Sequence, residues 1–352
     1  MFDVPRPPVI GRRTFLTSAI AAAGLALTGC ARAGTPANAL AAQGPLPTAV
    51  PAGTELVIAG PYNQLALQLS GLSGKLPFKV PQWPNIGAGP DVINAFRAHS
   101  LDLASNAGIP PIQAYALNLN AKIVAVRLNE KPIYVFATAP GSTTNDVNDF
   151  RGKKIAFSQG QAQGVVVLRA LKQAGLSNTD VTLVPLNSPQ FLTALQAKQV
   201  DVAPLGYTDS YKYLKQFAKE GAKTLTTDVV DLLSILWAPG EALQDAAKVA
   251  AIASYIPIWA QAAAWQWEHP DTWIDEYYVK DQGVTREQGQ SIVEHSNKPA
   301  FPTSWGRAIT WEQETIELLA TGGFSAKFTA DVLFDRRFES LASNAVPSTY
   351  RA

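Results

Sequence analysis

Cysteine is almost absent from this chain: there is one in 352 residues, at position 30. Only three histidines accompany it. A disulfide scaffold and a cysteine protease are therefore excluded, and a zinc site would need mostly carboxylate ligands, which argues against one. Charge is scarce as well. Asp, Glu, Lys and Arg make up 16% of the residues, below the ~25% of an ordinary soluble domain. The 29 basic and 28 acidic residues leave a net charge of +1, with no basic run of five or more. No nucleic-acid footprint is expected from such a pattern. The G-x-S-x-G elbow, the Walker loop and the G-x-G-x-x-G fingerprint are all missing; Gly87-Ala88-Gly89 lacks the third glycine and runs into Pro90. The expectation is no metal, no cofactor and no catalytic residue. What is present is apolar, at 47% of the chain, with length for two folding units at about 150 residues each.

The first residues read as an address. Arg12-Arg13-Thr14-Phe15-Leu16 carries the twin-arginine pattern, and an uncharged apolar stretch follows from Ala19 to Leu27. That stretch is shorter than the ~20 residues of a spanning helix. Leu27-Thr28-Gly29-Cys30 resembles the lipobox of bacterial lipoproteins, in which the cysteine is lipidated and becomes the new N-terminus. Residues 1–29 are read as a signal peptide and Cys30 as the lipidation site, with an ordinary secretory signal ending near Ala31 as the alternative. Residues 30–53, rich in Pro, Gly, Ala and Thr, read as a flexible tether.

From Glu55 the chain alternates short apolar runs with helical periodicity. Leu56–Ala59, Phe78–Val80, Leu101–Ala104 and Ile123–Arg127 read as strands, with helices over 64–69, 91–98 and 111–119 between them. A second series follows Pro140-Gly141-Ser142: strands at 155–157, 181–185 and 200–204, helices at 165–174 and 191–197, and a closing strand near 232–237. Alternating strands and helices imply parallel βαβ units. The remainder is mostly helical, with Pro257, Pro270, Pro299 and Pro302 expected as breakers. One unit inserted into another predicts two lobes: residues 54–138 with 236–352, and residues 139–235. The crossings are expected near 137–140 and 233–238.

Four stretches stand out: Trp83-x-x-Ile86-x-x-Gly89-Pro90-Asp91-Val92 with Ala95-Phe96, Leu101-Asp102-Leu103-Ala104-Ser105 with Pro110-Pro111-Ile112, Asp149-Phe150-Arg151-Gly152-Lys153-Lys154-Ile155-Ala156, and Val200-Asp201 after Ala194-Leu195-Gln196-Ala197. Together they resemble the solute-binding proteins of ABC importers, most closely the branch for aliphatic sulfonates, taurine and nitrate. The resemblance covers roughly residues 54–300. It implies an α/β, two-lobe periplasmic-binding-protein type II fold, each lobe a mostly parallel sheet flanked by helices, with the ligand cleft between the lobes. It further implies a monomer outside the cytoplasmic membrane that closes on a small organic solute, a sulfonate first, and delivers it to an ABC permease and its ATPase. A sensory or capture lipoprotein for a neutral or zwitterionic solute is an alternative, as is an enzyme resembling thiamine-precursor synthases.

Loops at strand ends supply the site candidates, because ligands of open α/β sheets bind at the carboxyl ends of strands. Ser158, Gln159, Gln161, Ala162, Gln163 and Gly164 lie on a strand-to-helix loop with free N–H groups and amide side chains. Ser105, Asn106 and Ala107 occupy the corresponding place in the first lobe, and Tyr62 with Asn63 the end of its first strand. Tyr207 and Trp237 follow or end apolar strands and are expected near the cleft. Arg127 is the only nearby cation; it stays a candidate, although a surface pair with Glu130 is the preferred reading. Trp259, Trp265, Trp267 and Trp273 are read as core.

Overall fold

The computed structural model describes residues 44–352. The signal peptide, Cys30 and most of the tether lie outside the described residues. The end of the predicted tether is not free: Leu46 and Val50 pack half-buried against the core. Among the described residues, no helix is long and apolar enough to cross a membrane.

Among the described residues, eight strands form two sheets. They are β1 (Ala104–Ala107), β2 (Ala121–Leu128), β3 (Tyr134–Thr138), β4 (Lys154–Phe157), β5 (Thr182–Pro185), β6 (Val202–Gly206), β7 (Thr224–Leu225) and β8 (Leu233–Pro239). The first sheet has the order β1-β8-β2 and is antiparallel throughout. The second has the order β5-β4-β6-β3-β7; β4 runs parallel to β5 and β6, whereas β3 is antiparallel to β6 and β7.

The expectation of mostly parallel sheets is thus corrected to mixed ones. The reason lies in how β3 and β8 arrive. Each enters its sheet from the other one, through the short helix-free links 129–133 and 226–232. A link of that kind cannot make the helical crossover that a parallel neighbour requires. These links also place the crossings N-terminal to the predicted ones, and they put β3, a strand that no periodicity announced, in the second sheet. The strands expected at Leu56–Ala59 and Phe78–Val80 are extended segments outside both sheets; the bridge Glu55↔Lys79 joins them to each other, and Ile58↔Leu103 ties the first to the segment before β1.

Helices flank both sheets. Pro61–Leu69 starts at Pro61 after Gly60, whose φ of 114° suits a residue without a side chain. Ala162–Gln173 follows β4, and Gly175, at φ 67°, lies just past its end. The longest helix, Ala246–Glu268, runs through Pro257, so the predicted break does not occur. Tyr255, Ile256 and Trp259 around that proline are at most 2% exposed. Their burial outweighs the cost of about 3 kcal/mol that a helical proline imposes. Pro270, in contrast, does mark a boundary and opens the short helix Pro270–Trp273. A π-helix, Ile274–Asp281, continues from it.

Candidate functional site

Arg127 and Ser234 are directly paired across β2 and β8. This register puts both side chains on one face, and the Arg127 Nη2 donates to Ser234 Oγ at 3.2 Å. The next residue but one, Asn129, donates its amide to the same Oγ at 3.3 Å and to the Asp231 carbonyl at 2.9 Å. Two donors therefore occupy the lone pairs of the Ser234 hydroxyl, which leaves its proton to be donated elsewhere. Among the described residues no carboxylate pairs with Arg127. Glu130, the partner preferred from the sequence, is held by both guanidinium nitrogens of Arg307, at 2.5 and 3.0 Å.

These three side chains open onto a cavity of about 680 Å³ beside the inter-sheet crossings. Ile133 and Tyr134 line it at the start of β3, and Trp267, Trp273, Tyr277 and Tyr278 line the C-terminal side. Arg127 is the only charged residue in that lining. Burial pushes the phenols of Tyr134, Tyr277 and Tyr278 above their ordinary range, so these rings stay neutral. A neighbouring cavity of about 630 Å³ is lined by Gly60, Gln64, Asn85, Ser105 and Lys280 among others, and it shares Tyr62, Gly87 and Tyr277 with the first. Lys280 there is paired with Glu276.

The predicted residues divide. Tyr62, Ser105 and Arg127 line these cavities. Asn106 lines neither, yet it positions Gly87: its Nδ2 donates to the Gly87 carbonyl at 2.9 Å while its Oδ1 accepts from the Trp237 indole at 2.8 Å. Trp237 itself is fully buried and packs edge-on against Phe96. Ala107 packs on the core behind the site. Asn63, 3% exposed, faces a void of about 10 Å³ between two helices rather than the cavities.

The loop 158–164 is engaged within the protein. Ser158 Oγ donates to Gln161 Oε1, which also accepts from the Ser188 N–H, and Gln161 Nε2 donates to Ser188 Oγ. Gln159 donates to the Phe324 carbonyl and its own carbonyl accepts from Gln113. A Cβ at Gly89 would stand 2.5 Å from the Gly160 carbonyl, so the two loops touch backbone to backbone. Ala162 and Gly164 are buried and Gln163 is half-buried; neither cavity reaches them. Tyr207 lies against His295, ring centroids 4.9 Å apart.

Sequence reasoning missed Asn129, Ser234 and the aromatic wall. Of the four tryptophans read as core, Trp259 and Trp273 are buried in it, Trp273 also lining the cavity; Trp267 is half-buried and lines the cavity, and Trp265 stacks on His269. The signal for the wall was the spacing Trp273-x-x-x-Tyr277-Tyr278, unremarkable on an α-helix but one-sided on a π-helix.

Residues 87–237 match the family model described as NMT1/THI5 like. The matched stretch holds Arg127, Asn129 and Ser234, while Tyr62 and the residues from 267 to 278 lie outside it. A putative aliphatic sulfonates-binding protein of Escherichia coli (strain K12) is 34% identical over 130 residues, 37% of this chain and 41% of the relative. The alignment thus spans about two fifths of that relative's length. The alkanesulfonate-binding protein SsuA of Xanthomonas axonopodis pv. citri, solved bound to MOPS, superposes with a TM-score of 0.68 at 20% identity. That superposition covers 86% of this chain and all of SsuA. The desulfurization enzyme DszB superposes with a TM-score of 0.54 at 14% identity, over 83% of this chain and 98% of the enzyme. The chain therefore has the periplasmic-binding-protein fold, a fold shared by binding proteins and at least one enzyme.

Proposed function

We propose that this chain is the extracytoplasmic solute-binding component of an ABC importer, capturing a small organic anion, foremost a sulfonate. The observation that carries the reading is Arg127: an ion without a counter-ion, in a cavity of about 680 Å³ with no other charge in its lining. A cation in such surroundings is stabilised by an incoming anion, and the free proton of Ser234 supplies a second donor to the head group. The names of the sulfonate-binding relatives agree with that chemistry. The two-lobe division, closure about 129–133 and 226–232, and lipidation at Cys30 belong to the same proposal. The single positive charge favours an anion over a neutral or zwitterionic solute. The cavity lining offers neither a cysteine or histidine nucleophile nor a carboxylate base, which supports a binder over an enzyme.

Calorimetric titration with alkyl and aryl sulfonates tests this reading. Arg127→Gln removes a charge-assisted hydrogen bond and is expected to weaken binding about 10- to 100-fold. Scattering on the same samples should show a smaller radius of gyration with ligand. Equal affinity of the wild type and Arg127→Gln would remove the anion site from this cavity.

A further inference from the structure

Four rings beside Arg127 form one connected surface. Trp273 and Tyr277 stack with centroids 4.6 Å apart and planes inclined by 21°. Tyr62 meets each of them at 6.2 Å, and Tyr278 meets Tyr277 at 5.1 Å. Trp267 adds a further ring to the same lining. The surface depends on the π-helix Ile274–Asp281. Its wider turn brings residues i, i+4 and i+5 to one side, which here are Trp273, Tyr277 and Tyr278. Such turns are rare and concentrate at functional sites.

Aliphatic side chains would serve an alkyl tail equally well, since apolar burial is non-directional. Aromatic rings add offset-stacked and edge-to-face contacts available only to another π-system. The head-group end is equally specific. Arg127 and the rings of Tyr62, Trp267, Trp273, Tyr277 and Tyr278 line the same cavity, so cation and ring wall belong to one compartment. We propose that this cavity selects planar aromatic anions, the ring seated on Tyr62, Trp267, Trp273 and Tyr277, and a sulfonate or carboxylate on Arg127 and Ser234. The proposal rests on the anion-binding reading above and names the tail that the anion carries.

The test compares benzenesulfonate, cyclohexanesulfonate and butanesulfonate by calorimetry on the wild-type protein. Benzenesulfonate and cyclohexanesulfonate share a head group and ring size, so their difference isolates the π-contacts. Benzenesulfonate is expected to bind about 3- to 10-fold more tightly than its saturated counterpart. In Trp267→Leu and Tyr277→Leu that ratio should fall toward unity, with butanesulfonate less affected than benzenesulfonate. Cyclohexanesulfonate binding as tightly as benzenesulfonate to the wild type would overturn the aromatic preference and leave anion capture standing. Failure of all three sulfonates, together with benzoate, to bind would overturn both.

Discussion

Glu312 shows how a single buried residue can set the pH response of the whole protein. It is 1% exposed, and its Oε1 lies 1.6 Å from where a Cβ of residue 108 would stand, so a side chain at Gly108 would force the buried carboxylate to move. Burial, then the Asp231 carboxylate, push its pKa up to about 8, with Arg169 opposing. Burial likewise lifts Asp231 to about 7. Arg169 is shared between these acids, donates to Thr315 and lies 3.8 Å over the Trp311 ring. Unfolded carboxyls titrate near pH 4. Glu312 and Asp231 therefore hold more protons in the folded protein than in the unfolded chain between about pH 4 and 8, and their contribution to stability falls as pH rises across that window. Glu312→Gln retains a neutral group in the same space. Its unfolding free energy is expected to lie close to the wild type near pH 5 and to exceed it near pH 8.5, by about 4 kcal/mol. A variant less stable at both pH values would show that the ionised carboxylate is needed.

At the scale of elements, the helix Ala246–Glu268 does most to position the cavity, since Ala263, Gln266 and Trp267 near its C-terminal end line it. Its start is fixed by Asp245, which accepts from the N–H groups of Ala247 and Lys248 at 2.8 and 3.1 Å. The carboxylate satisfies two orphan donors and faces the positive end of the helix dipole. Asp245→Ala is expected to cost about 1 kcal/mol in chemical denaturation, without changing ligand affinity, because the cavity lies at the other end. The π-helix beyond it behaves differently. Its eight residues contain only one buried at the level of the core, Ile274, so ring packing across the cavity edge rather than a buried stripe defines it. An α-helical periodicity search cannot register an element whose turn is wider than 3.6 residues.

For the whole molecule, the proposed address would set the membrane surface at which the chain works. The pattern Leu27-Thr28-Gly29-Cys30 predicts a lipid anchor on the only cysteine, followed by a tether whose end, from Leu46, docks on the folded body. Expressed with its leader, the wild type should partition with membranes, and Cys30→Ser should move to the soluble extracytoplasmic fraction with unchanged sulfonate binding. Membrane retention of Cys30→Ser to the same extent would rule out lipidation as the anchor. The position of the cavity beside both crossings links this scale to the site, because Arg127, Asn129 and Ser234 sit next to the links that would bend on closure.

The sequence by itself determined the α/β class and most element positions, and it offered Arg127 as a candidate while preferring a surface pair with Glu130. Local causes suffice for these: proline at the first helical turn of Pro61–Leu69, Gly175 after Ala162–Gln173, apolar runs at β2 and β8, and a lone arginine ending β2. Tertiary structure decided what depends on partners distant in the chain. Strand direction was one such matter, since β8 runs antiparallel because of where the link 226–232 delivers it. Pro257 stayed inside its helix because the surrounding core is worth more than one lost hydrogen bond. Glu130 went to Arg307, from a helix 177 residues away, and that exchange left Arg127 without a counter-ion. The loop 158–164, rich in amide groups, satisfied itself through Ser188, Phe324 and Gln113. Which polar groups remain free for a ligand is settled only when every competing partner has its place.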